Sequence, residues 1–392
     1  MSISINYEHI RLLKRSARSL VWNVLNQFRY SHPGPKKVGN VNIADAQHTT
    51  ILWRGVQPQA QYFSDQFKER FSVPENISFT QPFVAKIGRG HVFGKRGDVI
   101  TPDGMILTDV CPEIPRRKDH HFLISRGKMP KPGFIDGRVM VLSCGPHYNY
   151  FHFTFDVISR LSMFRQAGQT ADYYYIVQEK PFQRDLAKIF DIPASKIIPL
   201  KKDTHLVAKE LIVSSLPGNH HQNTLVNLKD IDTYQFIRKL VCDKINKDKL
   251  KHADLIYIQR KGRRTVENEE GLLEKLQEFG NWKVVQLEEY RVLEQAEIFY
   301  HAKVIIGLHG AGLTNIVYCK SNTTLIEIFN PAYVEPLYCH MANLLELKYF
   351  PLIAEREHSY LRKEKDVKGS VRIDLEKLRE CLESVFESRM LF

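Results

Sequence analysis

At 392 residues, 43% hydrophobic and 26% charged, the chain has the balance of a soluble globular protein and is too long for one ordinary core, so two α/β domains are expected. A formal net charge of +12 points to anionic partners, nucleotide phosphates or an anionic membrane surface. Nucleic acid is set aside, because the basic residues are spread along the chain without a zinc finger, an RNP-type motif or a helix-turn-helix.

No apolar run reaches the roughly 18 residues that span a bilayer, and the N-terminus lacks a signal-peptide core. The six cysteines are scattered without a CxxC pair, which fits a reducing compartment and speaks against a zinc site. The expectation is a cytoplasmic protein, peripheral at the inner face of the cell membrane.

Residues 1–40 read as a separate basic arm. Ile10, Leu13, Ala17, Leu20, Val21, Val24, Leu25 and Phe28 recur at helical spacing among Arg11, Lys14, Arg15, Arg18 and Arg29, until Ser31-His32-Pro33-Gly34-Pro35 breaks the pattern. Two readings stand for residues 9–29, a helix packed on the body or a basic amphipathic helix on a membrane face. From about 80 to 145, short alternating runs broken by glycine predict β-hairpins.

Beyond Gly145 strands alternate with helices. The segment Asn149-Tyr150-Phe151-His152-Phe153-Thr154-Phe155-Asp156, running on to Arg160, places Asn149, His152, Asp156 and Arg160 near one helical face among aromatics. That pattern fits either a satisfied core pair or a general base in a half-apolar cleft, where a carboxylate loses hydration and its pKa rises. Asp230-Ile231-Asp232 has the spacing of a metal motif but sits at a helix start, where a capping role is expected and no metal. Residues 243–251 are charged and read as a linker.

The last third reads as βαβ units and a parallel sheet. After the strand Leu255–Ile258 comes Gln259-Arg260-Lys261-Gly262-Arg263-Arg264, where guanidinium groups can grip a diphosphate. Asn268-Glu269 opens the next helix. After Val304-Ile305-Ile306 comes Gly307-Leu308-His309-Gly310-Ala311-Gly312-Leu313-Thr314-Asn315, a glycine turn that should open a helix and offer its amides to a phosphate, with His309 as an added donor. The turn misses G-x-G-x-x-G at its third glycine, but Glu327 falls where a ribose-binding carboxylate belongs. A dinucleotide site, hence an NAD(P)-dependent oxidoreductase, is therefore one alternative, and a non-catalytic nucleotide- or glycan-binding protein another. Too few residues follow Glu327 for a second mononucleotide half, so one nucleotide fits better than two.

Taken together, Asn149-Tyr150-Phe151-His152 with Asp156 and Arg160, Ile258-Gln259-Arg260 with Arg264 and Asn268-Glu269, and the turn 307–315 with Glu327 resemble the family-61 glycosyltransferases. That group includes bacterial capsular-polysaccharide enzymes, plant xylan arabinosyl- and xylosyltransferases and animal protein O-GlcNAc transferases. Gln259 stands where the family often has serine.

The resemblance implies a GT-B fold, with two Rossmann-like domains facing a cleft: an acceptor-side domain at 41–245 and a nucleotide-sugar domain at 250–350, followed by a helical segment at 351–392. It also implies inverting, metal-independent transfer of a hexosyl or pentosyl group from a nucleotide sugar, expected to be UDP-linked, to a hydroxyl of a glycan or lipid-linked glycan in cell-envelope or capsule polysaccharide synthesis. No cofactor is expected. Asp156 is favoured as base with His152 orienting the acceptor, and the reverse assignment stays open. Arg260, Arg264, Asn268, His309, Gly310, Ala311, Gly312, Asn315 and Glu327 would hold the donor.

Overall fold

The computed structural model describes residues 32–41, 48–56, 61–62, 71, 76–77, 81–111, 122–218, 228–247, 253–262, 264–355 and 369–390. The expected helix at 9–29 lies outside them.

Two sheets dominate. The first is mixed and nine-stranded, built from β1 (Lys37–Gly39), β2 (Thr49–Arg54), β3 (Phe83–Gly88), β4 (His91–Phe93), β5 (Asp98–Ile100), β6 (Met105–Leu107), β7 (Gly133–Val141), β8 (Tyr173–Tyr175) and β9 (His205–Ser214). Strands β4, β5 and β6 are antiparallel neighbours, as the glycine-broken pattern predicts. Strands β7, β8 and β9 are parallel and lie in the order β8-β7-β9, so the hairpin region ends before β7 and not at 145. The second sheet holds β10 (Leu255–Ile258), β11 (Trp282–Val285), β12 (Val304–Leu308), β13 (Thr324–Phe329) and β14 (Lys348–Ile353), all parallel, in the order β11-β10-β12-β13-β14. The two sheets thus share one device: three successive parallel strands arranged second, first, third.

The strand side chains alternate between two faces. Ile256, Ile258, Ile305 and Leu325 of the parallel sheet, and Met140, Leu142 and Ile212 of the mixed sheet with its flanks, belong to one continuous apolar cluster. The helices between the sheets complete it through Phe151, Phe155, Leu186, Tyr234, Ile237, Phe299, Ile316 and Met341. The opposite face of the parallel sheet, with Tyr257, Ile306, Ile326 and Ile328, packs on Leu272 and Leu276 and on Leu378, Leu382 and Val385 of the C-terminal helix Leu375–Met390. Because β12 and β13 are buried on both faces, their sequences read as unbroken apolar runs.

At the expected linker, Lys244 Nζ donates to the Ile189 carbonyl at 2.5 Å and to Asp191 at 2.7 Å, and the Asn246 amide donates to Glu297 at 3.1 Å. The described start of that stretch is therefore tied to its neighbours. The C-terminal segment is only partly helical, since Lys348–Ile353 forms the edge strand of the parallel sheet.

Candidate active site

Ligands of open α/β sheets bind outside the carboxyl ends of the strands, where the strand order reverses. In the parallel sheet that point lies between β10 and β12, where Ile258 is paired with Gly307. The chain leaves β10 as Gln259-Arg260 and leaves β12 as His309-Gly310, so the arginine cluster and the glycine turn meet. Arg260 Nη1 donates to the His309 carbonyl at 3.2 Å. A Cβ at Gly310 would collide with that guanidinium, which is why glycine stands there. A Cβ at Gly312 would come within 2.9 Å of Leu287 Cδ1.

Arg264 sits in the left-handed region at φ 56°, with its guanidinium carbon 5.3 Å from the Tyr333 ring centroid. Among the described residues no carboxylate forms an ion pair with Arg260 or Arg264. Burial, and then the nearby Arg264, press the Arg260 guanidinium below its usual value. A part-buried pair of like charges without a counter-ion is relieved by a bound anion.

His309 is buried, stacked on Phe329 with ring centroids 5.4 Å apart, and flanked by Tyr333 and Tyr338. Its Nδ1 lies 2.6 Å from Glu327 Oε1, and Tyr349 donates to Glu327 Oε2 at 2.7 Å. Glu327 is fully buried and both its oxygens are engaged. The expected ribose contact is therefore corrected: this carboxylate fixes the His309 ring, and the dinucleotide reading loses the acid it needs.

The element after the turn, Ala311–Tyr318, is a 3-10 helix and not the expected α-helix. Asn315 is wholly buried, with Oδ1 accepting from the Tyr150 hydroxyl at 3.0 Å and Nδ2 donating to Gln295 at 2.8 Å and to the Gly312 carbonyl at 3.1 Å. Of the two roles considered, it orients the turn. Asn268 is the second correction. Its amide donates to the Ile373 carbonyl at 2.8 Å and accepts from the Ile373 N–H at 2.9 Å, so it clamps the C-terminal segment and faces no ligand.

The mixed sheet repeats the arrangement. Its order reverses between β7 and β9, and the segment following β7 carries the second cluster. Asn149 caps the first turn, accepting from the amides of Phe151 and His152, so it does not join the polar face. The helix then widens into a π-helix at Phe153–Ile158 before Arg160–Gln166, a departure from regular helix of the kind that recurs at functional sites. His152 Nδ1 lies 2.7 Å from Asp156 Oδ2, one turn on. Arg160 is swung into the core, where it donates to the carbonyls of Val110, Val141, Leu142 and Ser214; it holds the sheet together and leaves the polar face.

The sequence reading missed Lys229, which donates to Asp156 Oδ1 at 2.5 Å from 73 residues away. With one oxygen on Lys229 and the other on His152, the buried Asp156 is not the open carboxylate expected, while the His152 side chain keeps 26% of its surface. Tyr150 was also missed, though its place in the quoted aromatic run was a signal. Asp230 caps Ile231–Cys242 through Thr233, as expected.

The clusters are joined by contacts: Tyr150 reaches Asn315, and Phe151 meets Tyr338, which meets His309. The family model for glycosyltransferase 61 matches residues 150–326, the span that runs from one cluster to the other. By that match the chain belongs to the family-61 glycosyltransferases. No curated protein matches. Among solved structures, the iron-containing dodecameric glycosyltransferase TibC from enterotoxigenic E. coli aligns over 82% of this chain and 98% of its own, at 11% identity and a TM-score of 0.34, too loose a likeness to argue from. No helix among the described residues of this glycosyltransferase is long and apolar enough to cross a membrane.

Proposed function

We propose that this glycosyltransferase moves a hexosyl or pentosyl group, with inversion, from a UDP-sugar to a hydroxyl of a glycan or lipid-linked glycan during cell-envelope polysaccharide synthesis. The observation that carries the reading is the pairing of two unlike clusters at equivalent places in two sheets. One is a cation pair without a counter-ion beside a glycine turn; the other is an imidazole held by a carboxylate. Repetition of the second-first-third strand order supports a GT-B arrangement, with the donor on residues 250–350 and the acceptor on residues 41–245.

In this reading His152 Nε2, the ring nitrogen that Asp156 does not engage, takes the proton of the acceptor hydroxyl. The resulting oxygen attacks the anomeric carbon from the face opposite the nucleotide. The carbon–oxygen bond to the β-phosphate breaks, its electron pair leaves with UDP, and Arg260, Arg264 and the amides of Gly310–Gly312 meet that charge. This reverses the initial preference, because a buried carboxylate with both oxygens bonded is poorly placed to take a proton from an incoming hydroxyl. Arginines and amides supply the positive charge, and Asp230 is occupied as a cap, so the transfer is read as metal-independent. Residues 9–29 would rest on the inner membrane face, beside a lipid-linked acceptor, in a cytoplasmic enzyme.

The test is a panel of nucleotides and nucleotide sugars, read by thermal shift and by UDP release in the presence of glycan acceptors. UDP should raise the melting temperature and one UDP-sugar should turn over. Absence of stabilisation by any nucleoside diphosphate would sink the reading.

A further inference from the structure

Lys229 lies outside every motif quoted above, just before the helix Ile231–Cys242, and its side chain is completely buried. A buried ammonium is costly unless it is paired and hydrogen-bonded. Its Nζ donates to Asp156 Oδ1 at 2.5 Å and to the Pro217 carbonyl at 2.8 Å. The surroundings are shaped to receive it. Gly218, at φ 92°, could carry no side chain without bringing a Cβ within 2.8 Å of the Lys229 stem. From the parallel-sheet half, His340 Nε2 sits 3.0 Å from the Lys229 carbonyl.

We infer that Lys229 is a positioning residue for the base: it holds Asp156 ionised, so that the carboxylate accepts the His152 Nδ1 proton and leaves the Nε2 lone pair for the acceptor hydroxyl. The role of Nε2 rests on the proposed function; the Lys229–Asp156–His152 chain and the tautomer it imposes do not. The other groups around the pair are Cys144, Arg160, Asp230, Tyr234 and His340. Burial pushes the Cys144 thiol up to about 11 and the Tyr234 phenol upward, and brings His340 down to about 4, so near neutral pH none of these three is charged. Arg160 donates to main-chain carbonyls and Asp230 accepts from Thr233, which leaves Lys229 as the cation bonded to the carboxylate.

Removing a cation from a buried carboxylate raises its pKa by about 1–3 units. In Lys229→Met, Asp156 should take up a proton near neutral pH and donate it to Nδ1, moving the imidazole proton to Nε2. Long-range ¹H–¹⁵N spectra of ¹⁵N-histidine-labelled full-length protein read this directly, with His152→Gln assigning the resonance. The expected result is an Nδ1–H imidazole in the parent and an Nε2–H imidazole in Lys229→Met, reverting as pH rises, with UDP affinity unchanged. An unmoved tautomer would overturn the inference.

If Lys229→Met does not fold, Asp156→Asn with and without Lys229→Met gives the answer in a neutral pair. A further shift on adding Lys229→Met there would show that the lysine does not act through Asp156. Failure of the functional reading looks different, as a tautomer that moves in a protein with no transfer from any UDP-sugar.

Discussion

The two switch points solve opposite electrostatic problems with similar strand orders. At the parallel sheet, Arg260 and Arg264 lack a carboxylate partner among the described residues, and the polar groups behind them are bonded: Glu327 to His309 and Tyr349, Asn315 to Tyr150 and Gln295. At the mixed sheet the ionisable groups are paired with one another, Lys229 with Asp156 and Asp156 with His152. The difference follows from the task. A site for an anion keeps its cations uncompensated until the ligand arrives, whereas a proton acceptor must have its tautomer set beforehand.

The largest effect should therefore come from the paired side. His152→Gln keeps a polar side chain but removes the basic nitrogen, and should lower turnover with the active UDP-sugar by roughly 10²–10⁴-fold. UDP affinity, measured by calorimetry on the same preparation, should stay within error. Loss of UDP binding in a variant with a native melting curve would erase the division between the two sites.

Arg260→Ala addresses the unpaired side. Losing a charge-assisted hydrogen bond to phosphate should weaken UDP by roughly 1.5–3 kcal/mol. The His152 tautomer should not move. Unchanged affinity would remove Arg260 from the donor site.

The two halves were not equally legible in the sequence. The parallel sheet announces itself because doubly buried strands give unbroken apolar runs, and Gly307–Gly312 marks a close backbone approach. The mixed sheet hides its parallel strands behind hairpins, and β7 carries Asp136 and Arg138 near an exposed start. Periodicity placed His152 and Asp156 on one face correctly, since i and i+4 remain neighbours. It put Arg160 on that face wrongly, because the π-helix at 153–158 shifts everything after it. Lys229 carried no local signal at all: its partner is 73 residues away, and only tertiary packing reveals why a lysine is there.

Acid should act on the fold through its histidines. Burial brings His340 and His205 to about 4, and burial together with the neighbouring His205, His32 and Arg89 brings His91 there as well, from an ordinary 6.5. Groups with a depressed imidazole pKa stay neutral in the fold and take up protons on unfolding, so stability is lost as pH falls from about 6.5 toward 4. For the deeply buried His340 the loss between pH 7 and 5 is about 2 kcal/mol; the more exposed pair contributes less. Melting curves across that range should shift downward in the parent and less in His340→Gln. A flat profile would mean that the histidines titrate normally in the fold.

The smallest expected effect on nucleotide binding belongs to Asn268, and it is the sharpest test of the boundary drawn around the donor site. Sequence order places Asn268 at a helix start close behind Arg260 and Arg264, where an amide facing phosphate is a natural expectation. The geometry assigns that amide to both main-chain groups of Ile373, which ties the helix Glu269–Gln277 to the C-terminal segment. Asn268→Ala leaves those two buried groups without partners, at a cost of about 1–3 kcal/mol in stability. The melting temperature should fall, while UDP affinity measured well below the transition should be unchanged. Weaker UDP binding with an unshifted melting curve would return Asn268 to the donor site and move its edge from the β10–β12 crevice toward the C-terminal segment.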